Sequence, residues 1–247
     1  MSNTLAIARK ELRSYFASPI GFVMIGLFAI VYGYFYAAIL QFFFDQSRQF
    51  MGQGPTDVNE QFIRPLFSNV QVILLFLLPL ITMRTYAEEK RSGTIELLLT
   101  SPITDFEIVA GKFLGAMGLI LAMLAITLPH IGVLFAFGHP EWKPIVTTYV
   151  GFLLMSACFV AVGLFVSSVT RNQIIAATAT FVVFLMLWVI DWMGEGKPLL
   201  EYLSITRHFD DFARGVIDTK HLVYYLSVIV FGLVLTMRSV ETERWRG

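Results

Sequence analysis

Charge and cysteine are both scarce in this sequence. Only 15% of its 247 residues are Asp, Glu, Lys or Arg, against about a quarter in ordinary soluble domains. Positive and negative residues balance to a formal net charge of zero, so no basic field points to nucleic acid. The single cysteine, Cys158, lies inside an apolar run, which excludes an intrachain disulfide and a thiolate metal cluster. No stretch reads G-x-x-x-x-G-K-[ST]; Gly196-Lys197 is followed by Pro198 and has no glycine five residues earlier. A phosphate-cradling loop is therefore missing, and any nucleotide energy must come from another chain. The serine-nucleophile pattern G-x-S-x-G is absent too. Internal repeats and low-complexity tracts are not evident.

Apolar residues, by contrast, make up 56% of the chain. A soluble fold of this length has no interior large enough for them, so lipid is the solvent for most of the protein. Six apolar runs cover residues 20–44, 66–83, 113–137, 145–166, 174–193 and 222–237. A span needs about 20 residues, which the first five provide; the last borrows from residues 216–222. The expected fold class is an all-α integral membrane protein with six transmembrane helices, forming a single transmembrane domain. The first run is too long for the core of a signal peptide and reads as an uncleaved span.

Lys and Arg set the orientation. Arg9, Lys10, Arg13, Arg84, Lys90, Arg91, Lys112, Arg171, Arg238, Arg244 and Arg246 flank one side. Arg48, Arg64, Lys143, Lys197, Arg207, Arg214 and Lys220 flank the other. The bias places both termini and the 84–112 segment in the cytoplasm, in a multi-pass inner-membrane topology.

Ahead of the first span, residues 3–18 carry Leu5, Ala8, Leu12, Tyr15 and Phe16 at helical spacing, with Arg9, Lys10, Arg13 and Ser14 largely opposite. This pattern predicts an amphipathic interfacial helix ended by Pro19. Ser68, Asn69 and Gln71 sit in the second run, and polar groups in hydrocarbon mark an interface or a pathway. The segment 194–221 alternates apolar residues with charges and is expected to dip into the outer interface. Asp191 beside Trp188 and Trp192 reads as an interface belt. Asp210 and Asp211 are expected to pair locally with Arg207 and Arg214. His130, His139 and Glu141 could suggest a metal set. A histidine beside Pro129 serves the freed backbone carbonyls better, and the other two are loop residues. No cofactor or metal is expected.

The most informative segment is a polar island, residues 82–112, between two apolar runs. Glu88, Glu89, Lys90 and Arg91 carry a helix out of the lipid, and Gly93 interrupts it. Thr94 is then a candidate N-cap for a short helix Ile95–Leu99, with Glu96 in its first turn. Pro102 stops that helix. Thr104 and Glu107 form a T-x-x-E capping box leading into the third span. The short helix presents Ile95, Leu97, Leu98 and Leu99, an apolar patch that needs a cover. An ordinary loop folded back on the membrane and a docking surface fit the spacing equally well.

The pattern of mixed charge, Gly-Thr, x-Glu-x-Leu-Leu-x-x-Pro and a lysine before the next span resembles the intracellular loop of type-2 class ABC exporter permeases. Here Glu88, Glu89, Lys90, Arg91, Gly93, Thr94, Glu96, Leu97, Leu98, Pro102 and Lys112 carry the likeness. The stretch from His208 to Thr236, through Phe209, Arg214, Gly215, Val216, Ile217 and Asp218, is similar to the GldF subgroup associated with gliding motility. The resemblance implies a non-enzymatic permease subunit, a separate ABC ATPase subunit beneath it, and a second permease copy, identical or related. The alternative class is a haem- or quinone-binding subunit or scaffold of another membrane complex. It would need paired intramembrane histidines, and only His130 falls in an apolar run.

Overall fold

The computed structural model describes residues 3–49, 58–137, 140–193 and 202–246, and among them it is helical with no strand. The order is α1 (Asn3–Ala17), α2 (Pro19–Gln49), a π-helical turn (Asn59–Ile63), α3 (Arg64–Ser92), α4 (Thr94–Leu99), α5 (Asp105–Phe137), α6 (Trp142–Val169), α7 (Gln173–Met193), α8 (Ile205–Ala213) and α9 (Thr219–Arg246). Six of these helices are long and apolar enough to cross a bilayer: α2, α3 with its π turn, α5, α6, α7 and α9. The expected fold class, six spans after an N-terminal helix, is met.

Local chemistry explains the boundaries. Pro19 cannot donate a backbone hydrogen bond and begins α2, which separates it from α1. The Asn172 side-chain oxygen accepts from the Ile174 and Ile175 amides and starts α7. Ser204 caps α8 by accepting from the Arg207 amide. Near Pro129, His130 Nδ1 lies 3.2 Å from the Ile126 carbonyl, and the Tyr36 hydroxyl donates to the His130 carbonyl. The first contact lies one residue from the Ala125 carbonyl that Pro129 leaves without its helical donor, and the second ties α2 to α5. His139 lies outside the described residues, as do the side chains of Asp191 and Trp192.

α3 and α6 are the central staves. Two-thirds of the apolar stretch of each is buried, against 22% in α2 and 17% in α7. α9 runs along α6, and α7 packs on α3. At one end of the bundle lie α4, the head of α5 and the tail of α9, which touch through Arg244 and Asp105. At the other end α8 packs over α6, where the Thr147 hydroxyl donates to the Phe212 carbonyl at 2.7 Å.

α1 turns part of the expected apolar stripe inward, with Ala8 and Leu12 half-buried and Tyr15 buried, and Arg9, Lys10, Arg13 and Ser14 are exposed opposite. Leu5 and Phe16 are exposed, while Ile7 and Tyr15 are buried. The face that packs is Ile7, Glu11 and Tyr15, and it lies against the first turns of α5. A Cβ on Gly111 would come within 2.6 Å of the Ile7 side chain, and one on Gly115 within 2.5 Å of the Glu11 side chain. These two bare positions, four residues apart on one face, let the helices run side by side in the same direction. Tyr15 then reaches across to donate to the Ile81 carbonyl of α3 at 3.1 Å.

Candidate functional site: the α3–α5 loop and its supports

The loop is built around Gly93, whose φ of 73° ends α3 and starts α4. That left-handed conformation is costly for residues with a Cβ. Gly93, not Thr94, occupies the N-cap, and no side chain caps α4. Thr94 is instead the first helical residue, and its hydroxyl meets the Ser92 hydroxyl at 2.9 Å. The reason is the glycine turn: a chain reversing in the left-handed region has no extended N-cap residue to aim a hydroxyl at the helix amides. The expected capping box is present. Glu107 Oε2 accepts from the Thr104 amide at 3.0 Å, and Thr104 Oγ1 accepts from the Glu107 amide at 3.3 Å.

α4 has one anchored face and one free face. Ile95 is buried beneath it and so is not part of a presented patch, contrary to the sequence-based expectation. Leu98 and Leu99 are half-buried against the core. Leu97 is 75% exposed, with Glu96 beside it. The helix therefore holds a single leucine out into solvent and grips the protein with its neighbours. Pro102 lies past the helix end, where Thr100 and Ser101 turn their hydroxyls onto the Glu96 and Leu98 carbonyls.

The charges around the loop are less exposed than their density suggests. Glu88 is paired with Arg84 at 2.7 Å. Glu89 is mostly buried between Lys10 at 3.2 Å and Lys112 at 2.8 Å. Lys90 reaches Glu243 of α9 at 3.1 Å and is nearly covered. Arg91 stays exposed. Glu89 and Lys90 thus depart from the solvent-facing charges that the pattern predicts, because each finds an opposite charge on another helix.

Lys112 is the centre of this network. It is only 1% exposed, yet its ammonium is matched on three sides: Glu11 at 2.8 Å from α1, Glu89 from α3, and the Thr85 carbonyl at 2.9 Å. Tyr86 lies with its ring 5.0 Å away. A buried cation is tolerable only with such compensation. One side chain of α5 therefore ties α1 and α3 together just behind α4.

The tail of α9 closes the other flank. Arg244 donates to the Ile103 carbonyl at 3.1 Å and pairs with Asp105 at 2.9 Å, and Glu243 also meets Arg171 of the α6–α7 turn. Between α4 and this tail lies a cleft of about 400 Å³, lined by Ile95, Glu96, Leu99, Arg171, Glu243 and Arg244 among others. The N-terminal helix was expected to steady this loop; the support from the tail of α9 was not foreseen in the sequence. For the Glu11 contact one signal was available: Glu11 lies midway between Ile7 and Tyr15 at four-residue steps, an acid on a stripe that packs.

The polar group in α3 has a local explanation. The Ser68 hydroxyl donates to the Arg64 carbonyl and the Asn69 amide to the Pro65 carbonyl, both one turn back. Gln71 is buried. On α8, Asp210 lies 3.8 Å from Arg64 of α3, and Asp211 pairs with His221 at 2.6 Å, a partner outside the expected local set.

The fold is that of a polytopic helical membrane protein with a charged, helix-bearing loop braced at one end. Residues 5–239 match the family described as ABC-2 family transporter protein, and the chain belongs to that family. It is 27% identical over 194 residues, 73% of its length and 49% of the relative's, to the probable multidrug ABC transporter permease YbhS of Escherichia coli K12. It is also 27% identical over 146 residues, 56% of its length and 39% of the relative's, to the probable multidrug ABC transporter permease YbhR of the same strain. The chain spans about half or less of the length of the curated relatives it matches. The expectation of a permease of the ATP-binding cassette class agrees with both findings.

Proposed function

We propose that this chain is the membrane-embedded permease subunit of an ATP-binding cassette transporter in the cytoplasmic membrane, with α4 as the foothold for a separate ATPase subunit. The observation that carries this reading is Leu97, held three-quarters exposed at the apex of a helix that Ile95 and Leu98 anchor from below. Both termini and α4 lie in the cytoplasm, in keeping with the Lys and Arg bias. Glu88, Glu89, Gly93, Thr94, Ile95 and Pro102 shape the foothold, while Arg91, Glu96 and Leu97 meet the ATPase and Leu98 borders it. Movement imposed there passes through Lys112 to α1 and through the tail of α9 to α6. The chain itself performs no covalent chemistry. A second permease copy pairs along α2 and α7, the least enclosed spans, and Ser68, Asn69 and Gln71 border the path between copies. The likeness of His208 to Thr236 adds membership of the GldF subgroup to the proposal.

The test is Leu97→Asp in the purified permease–ATPase complex. Burying a leucine is worth about 2 kcal/mol, which weakens docking about 30-fold when lost. Substrate-stimulated ATP hydrolysis should fall accordingly while the melting temperature of the permease stays unchanged, because Leu97 supports nothing in the fold. Normal assembly and stimulated hydrolysis in that variant would sink the docking role.

A further inference from the structure

The end of the molecule opposite α4 holds a cluster that the transport reading does not use. His208 of α8 and His221 of α9 are both buried, and Tyr224 stacks on His208 with ring centres 3.9 Å apart. Their Nδ1 atoms face each other at 2.5 Å. The remaining ring nitrogens are both committed. His208 Nε2 lies 2.9 Å from the Tyr202 carbonyl oxygen, which can only accept. His221 Nε2 lies 2.6 Å from Asp211 Oδ2, which accepts when ionised. Each Nε2 therefore carries a hydrogen. Two neutral rings in that state would aim two Nδ1 lone pairs at each other. The contact closes only if a third proton lies between them, and the pair then bears one positive charge with Asp211 as its counter-ion.

We propose that His208 and His221 form a buried proton-binding site whose single shared proton clasps α8 to the head of α9. The groups facing it are Asp211 on α8, Asp218 just ahead of α9, Lys220 on α9, and the phenols of Tyr202, Tyr224 and Tyr225. From α6, Cys158 donates to the Tyr225 carbonyl; from α3, Arg64 reaches the adjoining Asp210. The described side chains of α7, which also packs on α8, include no titratable group.

The pair responds to pH in both directions. Burial, with the neighbouring charges of His221 and Lys220, pushes the His208 imidazole below the usual histidine range. A second proton is thus resisted in the folded chain and accepted freely in the unfolded one, whose histidines titrate near 6.5. That contribution to stability is present above about pH 6.5 and is lost as pH falls from there toward the lowered value. On the alkaline side, removing the bridging proton leaves lone pair against lone pair, and the clasp opens. A metal held by both rings would sit about 2 Å from each nitrogen, which parts them well beyond the observed contact.

The experiment uses the chain of residues 1–247 in detergent. The melting temperature of the wild type, measured from about pH 5 to about pH 9, should pass through a maximum and fall by several degrees on both sides. His208→Gln and His221→Gln should each remove that maximum. Nitrogen-15 spectra of histidine-labelled wild type near neutral pH should show one exchangeable proton shared by two Nδ1 atoms, and this reading survives even if both variants fail to fold. An unchanged pH profile in both variants, unprotonated Nδ1 atoms in the wild type, or one equivalent of zinc or copper retained through purification would each overturn the shared-proton site.

Discussion

Lys112 shows how much a single side chain can be asked to do. Its ammonium stands between Glu11 and Glu89, with the Thr85 carbonyl completing the cage. Breaking a buried ion pair by removing one partner costs about 3–5 kcal/mol, because the abandoned charge stays behind. Lys112→Met abandons the Glu11 carboxylate and leaves Glu89 with Lys10 alone, so it should lower stability by about the lower end of that range, seen as an earlier urea midpoint in detergent. Adding Glu11→Gln and Glu89→Gln to Lys112→Met should recover much of the loss, since neutral amides have no repulsion to relieve. Failure of the triple variant to improve on the single one would show that packing, not charge, fixes this site. Leu97 is the opposite case: conspicuous in the sequence, exposed in the structure, and without any supporting role in the fold.

At the scale of elements, the pairing of α1 with α5 rests on two positions without side chains. A Cβ at Gly111 meets Ile7 and the Thr4 carbonyl, so a larger residue there must push the helices apart. Gly111→Leu should cost about 1–3 kcal/mol as overpacking, and should also separate Glu11 from Lys112, so its effect and that of Lys112→Met should fall short of additive in a double-mutant cycle. Additive losses would mean that the groove and the ion cage are independent. This interface also marks the limit of what the sequence discloses. Long apolar runs declare spans because lipid demands them, and Gly93, Thr104 and Glu107 declare a helix–turn–helix loop because local backbone geometry demands it. The partners of Glu11, Lys90 and Lys112 lie on helices distant in the chain. Spacing within one element carries no information about which face of another it will meet, so the inward turn of Ile7 and Glu11 on α1 and the role of the tail of α9 stayed hidden. The His208–His221 contact escaped for the same reason: thirteen residues and a turn separate two rings that meet only once α8 folds over the head of α9.

For the whole molecule, the central question is which end faces the cytoplasm. α4, the head of α5 and the tail of α9 gather at one end, and α8 with the turn at Gly215 lies at the other, so one labelling experiment decides both. The only native cysteine, Cys158, is buried, which leaves a quiet background for introduced thiols. Glu96→Cys should react with a membrane-impermeant maleimide in inside-out vesicles and stay unlabelled in intact cells. Ile217→Cys, on an exposed position of the α8–α9 turn, should do the reverse. The same background tests the pairing of copies. Ile30 of α2 and Met186 of α7 project from the two least enclosed spans, whereas Phe231 projects from α9, a more enclosed one. Oxidative crosslinking through Ile30→Cys or Met186→Cys should yield a dimer, and Phe231→Cys should not. Glu96→Cys labelled from outside would reverse the assigned topology and with it the ATPase foothold. A dimer formed only through Phe231→Cys would leave the foothold intact while moving the transport path from the α2–α7 face to the α9 face.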